Sequence, residues 1–208
     1  MTAVRPAIHQ AASLLLTYPD GDWPVRLAAV TDTMSRLPGE PPAALLRFCA
    51  YARTVPALDL AARYVLTFDR SRRRTLHLTY YTDGDTRRRG ASLARLKALY
   101  RTHGWQQGDG ELPDFLPAAL EFTARCPEPG LRLLREHRPA LDLLAHALET
   151  YRSPYAEVLR AVRDTLPGPA PADRAAALAL ARGGPPTENV GLDPFPADGA
   201  PSSEGARR

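Results

Sequence analysis

The sequence predicts an all-α, single-domain bundle, and three observations carry that expectation. Apolar residues recur at spacings of three and four from the N-terminal region to Leu166, the period that places them on one stripe of an α-helix. Prolines, 21 in all, punctuate these stripes, ending one helix or occupying the first turn of the next. Only one segment alternates apolar and polar residues, and a lone strand would leave its backbone groups without partners. At 208 residues the chain can bury a good core and needs no second domain.

Taken in order, residues 7–17 place Ile8, Ala11, Ala12 and Leu15 on one face, and the sequence Tyr18 to Asp22 stops that helix. Asp22 is the expected N-cap of the next, which begins at Pro24 and carries Leu27, Val30, Met34 and Leu37. Pro38 and Gly39 break it. Pro41 and Pro42 open a third helix with Leu45, Phe48, Cys49 and Ala52 inward. Thr54 and Pro56 read as the N-cap and early turn of a fourth, bearing Ala61, Tyr64, Val65 and Phe68.

The alternating segment is Thr75 to Tyr81, which is expected to be a short helix or irregular backbone for want of a pairing strand. After Asp85 a helix turns Leu93, Leu96 and Tyr100 inward, and the same stripe projects back to Arg89. An arginine there works against the helix dipole, so a carboxylate partner is expected among Asp69, Asp83, Asp85 and Asp114. Residues Glu111 to Pro117 fit a helix start, with Asp114 as cap and Pro117 in the first turn, and they are placed to border a groove.

Beyond Pro139 a stripe of Leu141, Leu144, Leu148 and Tyr151 is expected in the core. Ser153 and Pro154 then cap a helix with Tyr155, Val158, Val162 and Leu166. The packed domain is expected to span residues 1–166. A proline-rich linker with a short alanine-rich helix follows over 167–182, and a disordered tail over 183–208.

Several function classes find no support. The five histidines form no HExxH or other ligand spacing, so no metal site is expected. There is no glycine-rich phosphate loop and no GxSxG elbow, and neither Cys49 nor Cys126 has a base fixed nearby by sequence. The two cysteines are expected to be reduced thiols. The apolar run Leu14 to Leu16 is far too short for a signal-peptide core or a membrane span, so the expectation is a cytoplasmic protein without stable membrane association. The net charge of +4 rests on arginine, Lys97 being the only lysine. That bias follows from a G·C-rich genome or from a nucleic-acid partner.

What remains is a recognition surface between Tyr64 and Phe122, where aromatics, carboxylates and arginines crowd together. The runs YVLTFDR at 64–70, GDTRRRG at 84–90, LKALYRTHG at 96–104 and ELPDFLPAALEF at 111–122 resemble the NarJ family, the assembly chaperones of respiratory nitrate reductase. LLTYPD at 15–20 and SPYA at 153–156 resemble it in the same order, so that the likeness extends over residues 8–166. The resemblance implies a TorD-like fold of about nine or ten helices and a non-catalytic protein that acts in nitrate assimilation. Such a protein would bind the unfolded, immature catalytic (alpha) subunit and be required for insertion of the molybdenum cofactor. It would bind no cofactor stably itself, would have molybdenum cofactor biosynthesis proteins as further partners, and would be absent from the finished membrane enzyme.

The resemblance further implies a groove for the client's N-terminal peptide, with Tyr64, Thr67 and Phe68 on an aromatic-bearing helix and Glu111, Pro113, Asp114 and Phe115 on an acidic motif. Phe115 departs from the family, which often has histidine there, and Arg72 to Arg74 depart from an acidic binding face. In physical terms Tyr64, Phe68, Leu76 and Tyr80 are candidate apolar anchors, with Asp69, Asp83, Asp85 and Asp114 meeting a basic client end and Arg89 beside them. The alternative is an arginine-rich helical nucleic-acid-binding protein. It predicts base-stacking aromatics interleaved with the arginines, whereas here the aromatics fall on helix stripes and aspartates interrupt the basic runs.

Overall fold

The structure, a computed structural model, describes residues 4–108 and 110–168. Among these the chain forms ten α-helices and no β-strand beyond a single isolated bridge. The first three are α1 (Val4–Leu16), α2 (Trp23–Ser35) and α3 (Glu40–Arg53). Next, α4 (Ala57–Tyr64) runs without a break into a π-helical turn at Val65–Asp69. A 3-10 turn at Arg72–Arg74 leads to α5 (Leu78–Asp83) and the long α6 (Arg87–Thr102). Four helices complete the bundle: α7 (Leu116–Arg125), α8 (Pro127–Glu136), α9 (Arg138–Thr150) and α10 (Ala156–Thr165). No helix of the described residues is long and apolar enough to cross a membrane.

The core is organised around two long pairings, α1 along α7 and α3 along α10, with α1 also touching α10. Ala11 and Ala12 let α1 approach closely, and Leu15, Leu16, Phe48, Leu120, Phe122 and Val158 are fully buried around them. Two polar ties fix the register. Ser13 donates to the Pro117 carbonyl at 2.8 Å, and His9 Nε2 lies 2.8 Å from the Thr165 hydroxyl. Since that hydroxyl already donates to the Val162 carbonyl, His9 Nε2 carries the proton and donates. At the crossing of α7 and α8, a Cβ on Gly130 would lie 2.4 Å from Thr123 Cα, so glycine is required by the approach of the two backbones.

Several expectations change in detail. Thr54 ends α3, and Pro56 occupies the N-cap position of α4. Tyr151 is 48% exposed, because α9 ends at Thr150 and the chain turns outward there. α8 went unnoticed in the sequence, since its apolar residues are few and two prolines crowd its start. Asp114 does not cap α7: Phe115 holds the N-cap position with no side-chain hydrogen bond. The alternating segment resolves into α5 preceded by one bridge, in which Leu78 N–H donates to Asp114 O at 2.9 Å and Leu116 N–H to Leu76 O at 2.8 Å. The expected linker helix and tail lie outside the described residues, apart from Pro167 and Gly168.

Candidate functional site

The π-helical turn is the feature that shapes the surface. A normal helical turn after Tyr64 would keep Thr67 and Phe68 on the stripe of α4. The i to i−5 bond from Arg70 N–H to Val65 O, 3.0 Å long, instead widens the backbone and re-aims these side chains. Thr67 then faces one cleft and Phe68 and Asp69 another.

The larger cleft has a volume of ≈ 360 Å³ and joins segments far apart in sequence. Phe68, Leu76, Tyr80 and Phe115 form its apolar lining, and Asp69, Asp85, Arg72 and Arg89 supply charges. Phe68 is 3% exposed and rests on Tyr64 and Tyr155, with ring centroids 4.9 Å away in each case, so its position is fixed by the core behind it. Phe115 is half-buried and lies 5.5 Å from the His77 ring across the bridge. Partial burial raises the Asp69 carboxyl above its ordinary pKa, and the neighbouring His77 opposes the shift.

Below this cleft sits Asp114 with no exposure at all. It accepts from His77 Nδ1 at 3.0 Å, from the Thr79 hydroxyl, from Thr79 N–H at 3.3 Å and from Arg89 Nη2 at 3.3 Å. Burial alone would raise its pKa. The hydrogen bonds from His77 and Thr79, with the charges of His77 and Arg89, overcome this and hold the carboxyl below its ordinary value. Arg89 therefore has the carboxylate partner its placement demanded, together with Asp85 at 3.6 Å, and its guanidinium lies 6.0 Å from the Tyr80 ring centroid.

Of the residues singled out in the sequence, Phe68, Asp69, Leu76, Tyr80, Asp85, Arg89 and Phe115 thus share one cleft. The others do not line it. Tyr64 is buried, its hydroxyl donating to Leu16 O at 2.9 Å, and Thr67 lines the neighbouring cleft. Asp83 lies 3.7 Å from Arg88, the Pro113 carbonyl accepts from Tyr100, and Glu111 is exposed. Sequence reasoning missed His77, Ser71, Arg72 and Thr75 as lining residues. His77 had one available signal: it stands in the alternating segment between two buried leucines, a register that pairs it with Phe115 once the bridge forms. Arg74 leaves the exposed arginine cluster to stack 3.7 Å from the Tyr151 ring centroid and to donate to Thr67 O at 2.9 Å.

Chemically, the cleft offers aromatic faces beside carboxylates. The His77 and Asp114 pair has a fully buried carboxylate whose oxygens are occupied by His77, Thr79 and Arg89, and among the described residues no group of His, Cys, Asp or Glu is placed to hold a metal ion. Its walls suit an apolar side chain on the Phe68 and Phe115 rings with a cation against Asp69 or Asp85.

Comparison with known proteins places this geometry in context. Residues 36–161 match the family described as nitrate reductase delta subunit. The nitrate reductase-like protein NarX of Mycobacterium tuberculosis H37Rv is 40% identical over 156 residues, which is 74% of this chain but only 24% of that protein. A protein of Bacillus subtilis named as the nitrate reductase molybdenum cofactor assembly chaperone NarJ is 33% identical over 163 residues, 76% of this chain and 87% of the relative. NarJ of Escherichia coli K12, a nitrate reductase molybdenum cofactor assembly chaperone, is 36% identical over 69% of this chain and 63% of its own length. The crystal structure of an Archaeoglobus fulgidus protein described as a redox enzyme maturation protein shares the fold. Its TM-score is 0.59 at 23% identity, with 78% of this chain and 93% of that one covered.

Proposed function

Because the chain belongs to the nitrate reductase delta subunit family, we propose that it is a non-catalytic assembly chaperone for a respiratory nitrate reductase. It binds the immature catalytic (alpha) subunit in the cytoplasm, through that subunit's N-terminal peptide, and keeps it competent for insertion of the molybdenum cofactor before membrane attachment. It holds no cofactor of its own, and the proteins that make and deliver the cofactor are its further partners.

The observation that carries the reading is the convergence of Phe68, Leu76 and Phe115 with Asp69 and Asp85 in one open cleft. A client helix or extended peptide with an apolar stripe and a basic end meets both requirements there: apolar anchors for affinity and rim charges for register. The names of the NarJ relatives support the identity of the client. Nothing in the cleft favours nucleic acid, since its two arginines are offset by two carboxylates.

Co-purification tests the proposal. The tagged wild-type chain should retain the catalytic subunit precursor from cells that express it without its partner subunits, and a Phe115→Arg variant that folds normally should lose it. Retention by both, or by neither, would contradict the assignment of the cleft.

A further inference from the structure

We propose that the smaller cleft behind the π-helical turn is a second docking site, for an acidic peptide segment in which carboxylates flank an apolar side chain. It has a volume of ≈ 260 Å³ and lies between the end of α9, the start of α10 and the outer face of α4. Its charged lining consists of Arg63 and Arg152 alone, with no carboxylate, in contrast to the mixed charge of the larger cleft. Neither guanidinium is ion-paired among the described residues: Arg63 donates to the Tyr51 hydroxyl and lies 5.9 Å from that ring's centroid, and the Arg152 side chain has no partner. The lining also includes two large apolar side chains partly in solvent, Leu66 at 53% exposure and Tyr151 at 48%, the latter with the Arg74 guanidinium stacked on its ring.

Arg152 supplies an independent reason to see a site here. The C-terminus of α9 closes with Ser153 N–H on Leu148 O at 2.9 Å and Arg152 N–H on Glu149 O at 2.9 Å, the paired bonds of a Schellman turn. Such a turn needs a left-handed residue at the position held by Arg152, whose φ is 54°, and glycine is the residue that adopts it without strain. Arg152 is the only residue other than glycine with positive φ among those described. An arginine held in the left-handed region, whose guanidinium bonds to nothing among the described residues, contributes less to the turn than glycine would.

The chemistry of the walls selects the occupant. Two guanidiniums with no carboxylate partner among the described residues suit an anion, and the exposed Leu66 beside them suits an apolar neighbour to that anion. The cleft is an open trough rather than an enclosed cavity, which suits a segment of chain laid across it better than a small molecule that must be largely enwrapped. Arginine clusters that read acidic motifs work in this way. The inference does not depend on the function proposed for the larger cleft, whose occupant is apolar and basic.

Fluorescence anisotropy on the full chain tests it, with a labelled peptide alternating glutamate with leucine and phenylalanine, and a counterpart carrying glutamine for glutamate. The glutamate peptide should bind about tenfold more tightly than the glutamine peptide, and more weakly as salt rises. Arg63→Gln and Arg152→Gly should each weaken it about tenfold. Arg152→Gly should at the same time melt about 2–4 °C higher, because the strain is relieved while the site is lost. Phe115→Ala, in the other cleft, should leave the affinity unchanged. Equal binding of the two peptides, undiminished binding by both arginine variants, loss on Phe115→Ala, or displacement by inorganic pyrophosphate at lower concentrations than by unlabelled peptide would each overturn the proposal.

Discussion

Replacing Asp114 by alanine separates two roles that the sequence left together, helix capping and structural ion pairing. As a cap its loss would cost about 0.5–2 kcal/mol. The structure gives a larger figure. The carboxylate is fully buried and accepts four hydrogen bonds, from His77, the Thr79 amide and hydroxyl, and Arg89. Deleting it leaves Arg89, whose side chain is 18% exposed, with a 3.4 Å bond to the Thr79 hydroxyl and, as its remaining ion pair, the 3.6 Å contact to the exposed Asp85, worth under about 1 kcal/mol. Breaking a buried pair costs about 3–5 kcal/mol, and each orphaned Thr79 group about 1–3 more before water enters from the adjoining cleft. Taking water entry as relieving the Thr79 groups, Asp114→Ala should lower stability by about 3–5 kcal/mol in urea unfolding. That is as much as the about 2–5 kcal/mol expected for the fully buried Leu144→Ala. The pH dependence has a definite sign. The folded pKa lies below the ordinary 3.8, so this contribution is present above that value and fades as pH falls through the folded pKa. A loss under about 1.5 kcal/mol would refute the buried-pair account and return Asp114 to a minor local role.

Three further outcomes follow from the same geometry. Gly130→Ala should destabilise by about 2 kcal/mol or more, against the usual gain from alanine in a helix, because the new methyl meets the Thr123 backbone. A more stable alanine variant in the same urea assay would show that α7 and α8 can separate freely. His9, buried and with no partner for Nδ1 among the described residues, is held at a pKa of about 4 against 6.5, first by desolvation and then by the charge of Arg5. The unfolded chain therefore binds the extra proton between these values, and wild-type stability should fall by about 3 kcal/mol from pH 7 to pH 4 relative to His9→Gln. Identical pH profiles for the two proteins would contradict this. Phe48→Ala, which removes a fully buried ring 4.7 Å from Tyr155, should cost about 3–5 kcal/mol, and a loss below about 1 would mean that the aromatic cluster repacks without it.

The helices were legible because their stripes are governed by a local period. Leu27, Val30 and Met34, or Leu141, Leu144 and Leu148, need only the 3.6-residue repeat to be placed, and all are buried. α8 was not, because Leu133 and Leu134 are its only buried apolar side chains besides Pro129 and its tightest contact depends on a glycine, which no hydrophobic pattern marks. Arg89 showed its need for a carboxylate through its clash with helix polarity, but which of four aspartates answers it depends on how Leu76 to Leu78 lie against Asp114 to Leu116, a pairing of residues far apart in the chain. The π-helical turn at Val65–Asp69 left no recognisable trace in composition. It decides which cleft Thr67 and Phe68 face, so the grouping of the site residues needed coordinates even where their identities did not.

The central claim, a peptide cleft for the catalytic subunit, is tested most directly by calorimetry with a synthetic peptide copying the N-terminus of that subunit. Titrations at low and high salt should be run on wild type, Phe115→Ala, Phe68→Ala and Arg73→Ala. Phe115 is the cleaner anchor, since Phe68 also packs on Tyr64 and Tyr155 and its truncation costs stability as well. Binding should show a negative heat-capacity change and modest salt dependence, and both phenylalanine variants should weaken it more than Arg73→Ala. Arg73 is exposed, so its screened interaction is worth under about 1 kcal/mol. Abolition by Arg73→Ala with both phenylalanine variants unaffected, and competition by generic RNA, would contradict the chaperone account and favour a nucleic-acid-binding surface.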